Sequence, residues 1–148
     1  MFGSILVGTD GSDTATTAVR YAIDLARQLE ARLQIVSAYE PVPGQRLRQE
    51  SVEAPSDVQW MVSPREDVLA LLDQAEEEAR GAGLSDVETF ARKGDAADAI
   101  LDVAEEVRSD LIVVGNRGMT GAKRFLLGSI PNKVSHHAPC SVLIVRTT

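Results

Sequence analysis

The run Leu111-Ile112-Val113-Val114, followed by Gly115-Asn116-Arg117-Gly118 and, after nine further residues, Gly128-Ser129-Ile130, decides how this chain is read. Four apolar residues in a row suit a short strand buried on both faces, as in a parallel sheet. Residues 130–137 suit a helix. Strand, glycine-rich loop and helix start, in that order, present backbone N–H groups to an anion. Glycine takes positive φ and lets a ligand approach the main chain. The helix start adds unpaired N–H groups and the positive end of its dipole. The spacing is neither G-x-x-x-x-G-K-[ST] nor G-x-G-x-x-G, so the two commonest phosphate loops are excluded.

Working outward from that stretch, the same alternation recurs. Residues 5–8 are a short apolar run, broken by Thr9, Asp10, Gly11, Ser12 and Asp13, which offer helix caps. Ala15, Ala18, Val19, Ala22, Leu25, Ala26 and Leu29 then recur at three-and-four spacing, with Arg20, Asp24, Arg27 and Gln28 on the outer side. Residues 33–39 read as a second strand, and a β-α-β unit of this kind is a right-handed crossover in a parallel sheet. Ser63-Pro64-Arg65-Glu66 is a capping box with proline at the first helical position. Val68, Leu71, Leu72, Ala75 and Ala79 mark the buried face of that helix, and Gly81 and Gly83 end it. Residues 87–91 form a more polar strand, expected at a sheet edge. Gly94 and Asp95 turn into a helix whose stripe is Ala97, Ile100, Leu101, Ala104 and Val107. Residues 142–145 close the chain as a fifth strand. Residues 40–62 have no period and contain Pro41, Pro43, Gly44 and Pro55. They read as a long surface loop, either a variable insertion or a functional segment, with Trp60 able to dock on the domain or on a partner. The expectation is one α/β domain over residues 1–148, a three-layer sandwich around a five-stranded parallel sheet.

Composition narrows the function. The 148 residues carry 15 Lys and Arg against 22 Asp and Glu, a net charge of −7, which disfavours nucleic acid as a partner. The apolar runs are too short for a membrane span. The first residues enter a strand pattern without a basic region or cleavage site, so no signal peptide is expected. A single cysteine excludes an internal disulfide and agrees with a cytoplasmic setting. Two of the three lysines, Lys123 and Lys133, lie in or just after the glycine stretch.

The spacing Gly115, Gly118, Gly128, Ser129 resembles the nucleotide-binding branch of the universal stress protein family. The opening Ile5-Leu6-Val7-Gly8-Thr9-Asp10-Gly11-Ser12 and the closing Ala138-Pro139-Cys140-Ser141-Val142-Leu143-Ile144-Val145 resemble it too. That resemblance implies strand order 3-2-1-4-5, the adenine nucleotide alpha hydrolase-like arrangement. Its switch point lies between the first and fourth strands, where open α/β sheets bind ligands. It implies ATP or another adenine nucleotide as ligand. Backbone N–H groups around Gly115, Gly118, Gly128 and Ile130, with the Ser129 hydroxyl, would hold the phosphates. Pro131 removes one donor from that turn. Arg117, Lys123 and Arg124 are candidates for added phosphate charge. Asp10 is implied beside the ribose and phosphates, binding Mg2+ through water, with Thr9 a weaker candidate for the same pocket. Ala38, Gly94 and Val114 are implied around the base. Members of the family often carry proline where this chain has Gly8, which predicts a looser approach to Thr9.

The function implied is a small cytoplasmic ATP-binding protein that senses or relays adenylate state in a stress response. It would act through an unknown protein partner and as a homodimer paired through the last strand. The competing readings are a slow ATPase with Asp10 as its base, a nucleotide-independent interaction module, and a flavodoxin-like protein. The last is disfavoured by an aromatic content of only 4%, which leaves little to stack on a flavin. His136 and His137 are adjacent on a helix end and point apart, so they do not chelate one ion. Cys140 reads as a small buried hydrophobe. No hydrolase triad or zinc spacing occurs.

Overall fold

The computed structural model describes residues 2–39, 65–116 and 129–147. Strands β1 (Ser4–Gly8), β2 (Arg32–Tyr39), β3 (Val87–Lys93), β4 (Leu111–Gly115) and β5 (Ser141–Val145) form one sheet in the order β3-β2-β1-β4-β5. Every pairing is parallel, so each return must cross over the sheet. The helices α1 (Asp13–Leu29), α2 (Arg65–Gly81), α3 (Ala96–Val107) and α4 (Ser129–His137) supply those crossovers.

The alternation of side chains along each strand divides the core in two. Ile5, Val7, Leu33, Ile35, Leu111 and Val113 meet α1 and α2 on one face. Leu6, Val36, Ile112 and Val114 meet α3 and α4 on the other. Both faces of β1 and β4 are therefore apolar, which explains their unbroken apolar runs. As its polarity predicts, β3 is an edge strand. The other edge is β5, where Leu143 and Ile144 remain exposed.

The helix stripes hold with two adjustments. Leu29 ends the α1 stripe in sequence but is 44% exposed, because Glu30 takes a left-handed turn (φ 54°) and Ala31 enters the core instead. On α3 the buried face includes Ala99 and Val103 and leaves Leu101 and Val107 half-buried, since this helix packs on both the sheet and α4. The cap of α1 is Ser12, whose side chain accepts from the Ala15 N–H; that of α3 is Asp95, which accepts from the Asp98 N–H. The capping-box residues Ser63 and Pro64 and the loop 40–62 lie outside the described residues. No helix among the described residues is long and apolar enough to cross a membrane.

Candidate functional site

β1 pairs with β2 on one side and β4 on the other, so the order in which strands are added reverses between β1 and β4. The parallel register Val7↔Val113 brings the carboxyl ends of these two strands to the same edge of the sheet, where Thr9 and Asp10 follow β1 and Asn116 follows β4. Thr9 is 3% exposed. Its N–H donates to the Val36 carbonyl at 2.9 Å, and its hydroxyl oxygen accepts from the Gly11 N–H at 3.1 Å. Asp10 is exposed, and its Oδ1 accepts from the Ser12 N–H at 2.8 Å. The carboxylate thus fixes the cap residue of α1 rather than capping the helix itself, and it still faces solvent at the end of a buried strand.

The three residues predicted around the base lie on separate parts of the chain. Ala38 is half-buried near the end of β2, and Val114 is buried in β4. Gly94 has φ +111° and donates its N–H to the Tyr39 carbonyl at 2.9 Å, tying the end of β3 to the end of β2. A narrow crevice opens here between Gly8, Thr9 and Ala38 on the sheet and Ala96, Ala99 and Ile100 on α3. It holds about 10 Å³, roughly the room for one water. The looser approach predicted from Gly8 is not found. Ile100 occupies the space that the missing side chain leaves: a Cβ on Gly8 would stand 2.6 Å from Ile100 Cδ1.

Of the residues predicted at the phosphates, Ser129 is the exposed first residue of α4 and Ile130 packs half-buried on the second core. Gly115 ends β4, paired with Val145. Arg117, Gly118 and Gly128, with Lys123 and Arg124, lie outside the described residues. Three relevant residues escaped the sequence reading. Ile100 was assigned only to a core stripe. Asn116 donates its N–H to the Val145 carbonyl at 2.8 Å. Lys133, noted only for its charge, bridges α4 to the start of α3 through Asp98 at 2.8 Å and Asp95 at 3.4 Å. His136 and His137 are exposed, and no group of three His, Cys, Asp or Glu among the described residues could hold a metal.

Residues 1–146 match the Universal stress protein family. This chain belongs to that family. Universal stress protein Rv1636 from Mycobacterium tuberculosis is 37% identical over 147 residues, which cover 99% of this chain and 98% of that one. A universal stress protein crystallised in complex with cAMP is 34% identical, with a TM-score of 0.73 over 99% of this chain and 98% of that one. UspA from Lactobacillus plantarum is 25% identical, with a TM-score of 0.77 over 98% of both chains. The sheet order expected from the resemblance is the observed one.

Proposed function

We propose that this universal stress protein binds an adenine nucleotide at the carboxyl ends of β1 and β4 and relays adenylate state to a partner in the cytoplasm. The observation that supports the reading is that β1 and β4 are parallel neighbours where the strand order reverses, so that Thr9–Asp10 and Gly115–Asn116 follow adjacent strand ends, and that α4 is the helix after β4. Open α/β sheets take ligands at such points, and helix N-termini favour phosphate. The 34%-identical relative in complex with cAMP supports an adenine ligand.

In this reading Gly115, Arg117, Gly118, Gly128, Ser129 and Ile130 border the phosphates. Thr9 and Asp10 lie by the ribose, and Ala38, Gly94 and Val114 lie by the base. ATP is the ligand implied by the resemblance of the glycine and serine spacing to the nucleotide-binding branch of the family. Asp10, a single exposed carboxylate, fits a Mg2+ ion that keeps most of its waters and binds mainly to phosphate oxygens. The ion would neutralise phosphate charge on a protein whose net charge is −7. The second reading, cAMP with no metal, is favoured by the relative's complex and needs no cation at Asp10. The exposed Leu143 and Ile144 on edge strand β5 support a homodimer formed there.

Calorimetric titration of nucleotide-free protein with ATP and Mg2+, and separately with cAMP, tests the proposal. Saturable ATP binding that Gly118→Val abolishes, and whose Mg2+ dependence Asp10→Ala removes, is the expected result. Tighter binding of cAMP, indifferent to Mg2+ and to Asp10→Ala, would select the second reading. Absence of binding by either ligand would overturn both.

A further inference from the structure

The crevice beside Thr9 and Ala38 is shaped by one contact between distant parts of the chain. Gly8 is the last residue of β1, and a Cβ there would stand 2.6 Å from Cδ1 and 2.9 Å from Cγ1 of Ile100. Both separations are shorter than packed carbon atoms tolerate. Ile100 is 2% exposed and is wedged into volume that only glycine leaves free. The other α3 residues lining the crevice, Ala96 and Ala99, end at a methyl group. Along α3, then, Ile100 alone supplies bulk, and its side chain sets how deep the crevice runs.

We propose that Ile100, seated against Gly8, is the specificity-determining residue of the base end: it keeps the purine shallow and excludes purines with added bulk on the edge that enters the crevice. This rests on the adenine site proposed above. The physical argument is one of shape. The helix side of the crevice is hydrocarbon alone, with the buried residues Thr9 and Ser37 on the sheet side, so the helix wall discriminates by volume. An apolar wall of this kind distinguishes ligands differing by one methyl-sized group by about ten-fold or somewhat more. Gly8 is the matched half of the device, because any side chain there displaces Ile100.

The test uses ATP beside N6-methyl-ATP, 2-methylthio-ATP and 8-bromo-ATP, titrated into the parent protein, Ile100→Val and Gly8→Ala. Ile100→Val removes only Cδ1, the nearer of the two contacting atoms, and keeps most of the core side chain. In the parent, at least one analogue is expected to bind about ten-fold more weakly than ATP. Ile100→Val should bring that analogue to within about three-fold of ATP, both measured in the same variant. Gly8→Ala should weaken ATP by about ten-fold, and Ile100→Ala in the same chain should recover most of the loss. Equal binding of all analogues by the parent, or the same ranking in a folded Ile100→Val, would overturn the role of Ile100. Failure of the parent to bind any adenine nucleotide would overturn the underlying site, and it is seen before any variant is compared.

Discussion

The side-chain oxygen of Asn116 accepts two hydrogen bonds from Thr147, one from its N–H at 2.9 Å and one from its hydroxyl at 3.0 Å. Together with the Asn116 N–H to the Val145 carbonyl, they bind the residue after Gly115 to the end of β5. The start of the glycine-rich stretch and the edge strand are therefore mechanically joined.

Asn116→Ala keeps the backbone bond and loses both side-chain bonds. The expected cost is about 1–2 kcal/mol of stability, since the pair is only part-buried. Hydrogen exchange should accelerate at residues 145–147 ahead of the rest of β5. Unchanged exchange there would show that the edge strand is held by its pairing with β4 alone.

Lys133 joins α4 to the cap of α3. The hydrogen bond to Asp98 is the main reason its ammonium is held above the ordinary lysine range, with a smaller contribution from Asp95 opposing some desolvation. A group whose folded pKa is raised stabilises the fold fully below its unfolded pKa, and that contribution disappears as pH rises through the folded value. The pair is solvent-exposed, so the effect is small. Urea midpoints of the parent and Lys133→Met should differ by a constant small amount from neutral pH to about pH 9, then converge in the strongly alkaline range. A difference that persisted there would assign the effect to packing of the lysine stem.

Cys140 is half-buried against the second core, and burial, helped by the Asp110 carboxylate, pushes its thiol up from the ordinary range. The thiolate is the reactive form, so Ellman's reagent at pH 8 should label the native protein about an order of magnitude more slowly than the protein in urea. Equal rates would place the sulfur in open solvent.

Much of this fold is legible locally. Short unbroken apolar runs identify β1 and β4 because a strand covered on both faces needs no polar alternation, and β2 departs from alternation too, with Gln34 and Ser37 buried in it. Three-and-four spacing identifies α1, α2 and α3, and the polar 87–91 run correctly reads as an edge. Leu29 misleads because periodicity cannot foresee the left-handed Glu30 that ends the helix and sends Ala31 inward. Thr9, Ala38, Gly94 and Val114 were legible as strand ends and turns, and the strand order brings them to one end of the sheet.

Element order, the apolar faces and the family are legible in the chain alone, since each is written in neighbouring residues or in short fixed spacings. Which distant residues meet depends on the folded packing. Ile100 fills the room left by Gly8, Asn116 ties to Thr147, and Lys133 reaches Asp95 and Asp98. These are contacts between segments far apart in the chain. They arise from how strands order themselves in the sheet and how helices settle on its faces, and no local pattern of residues encodes that packing.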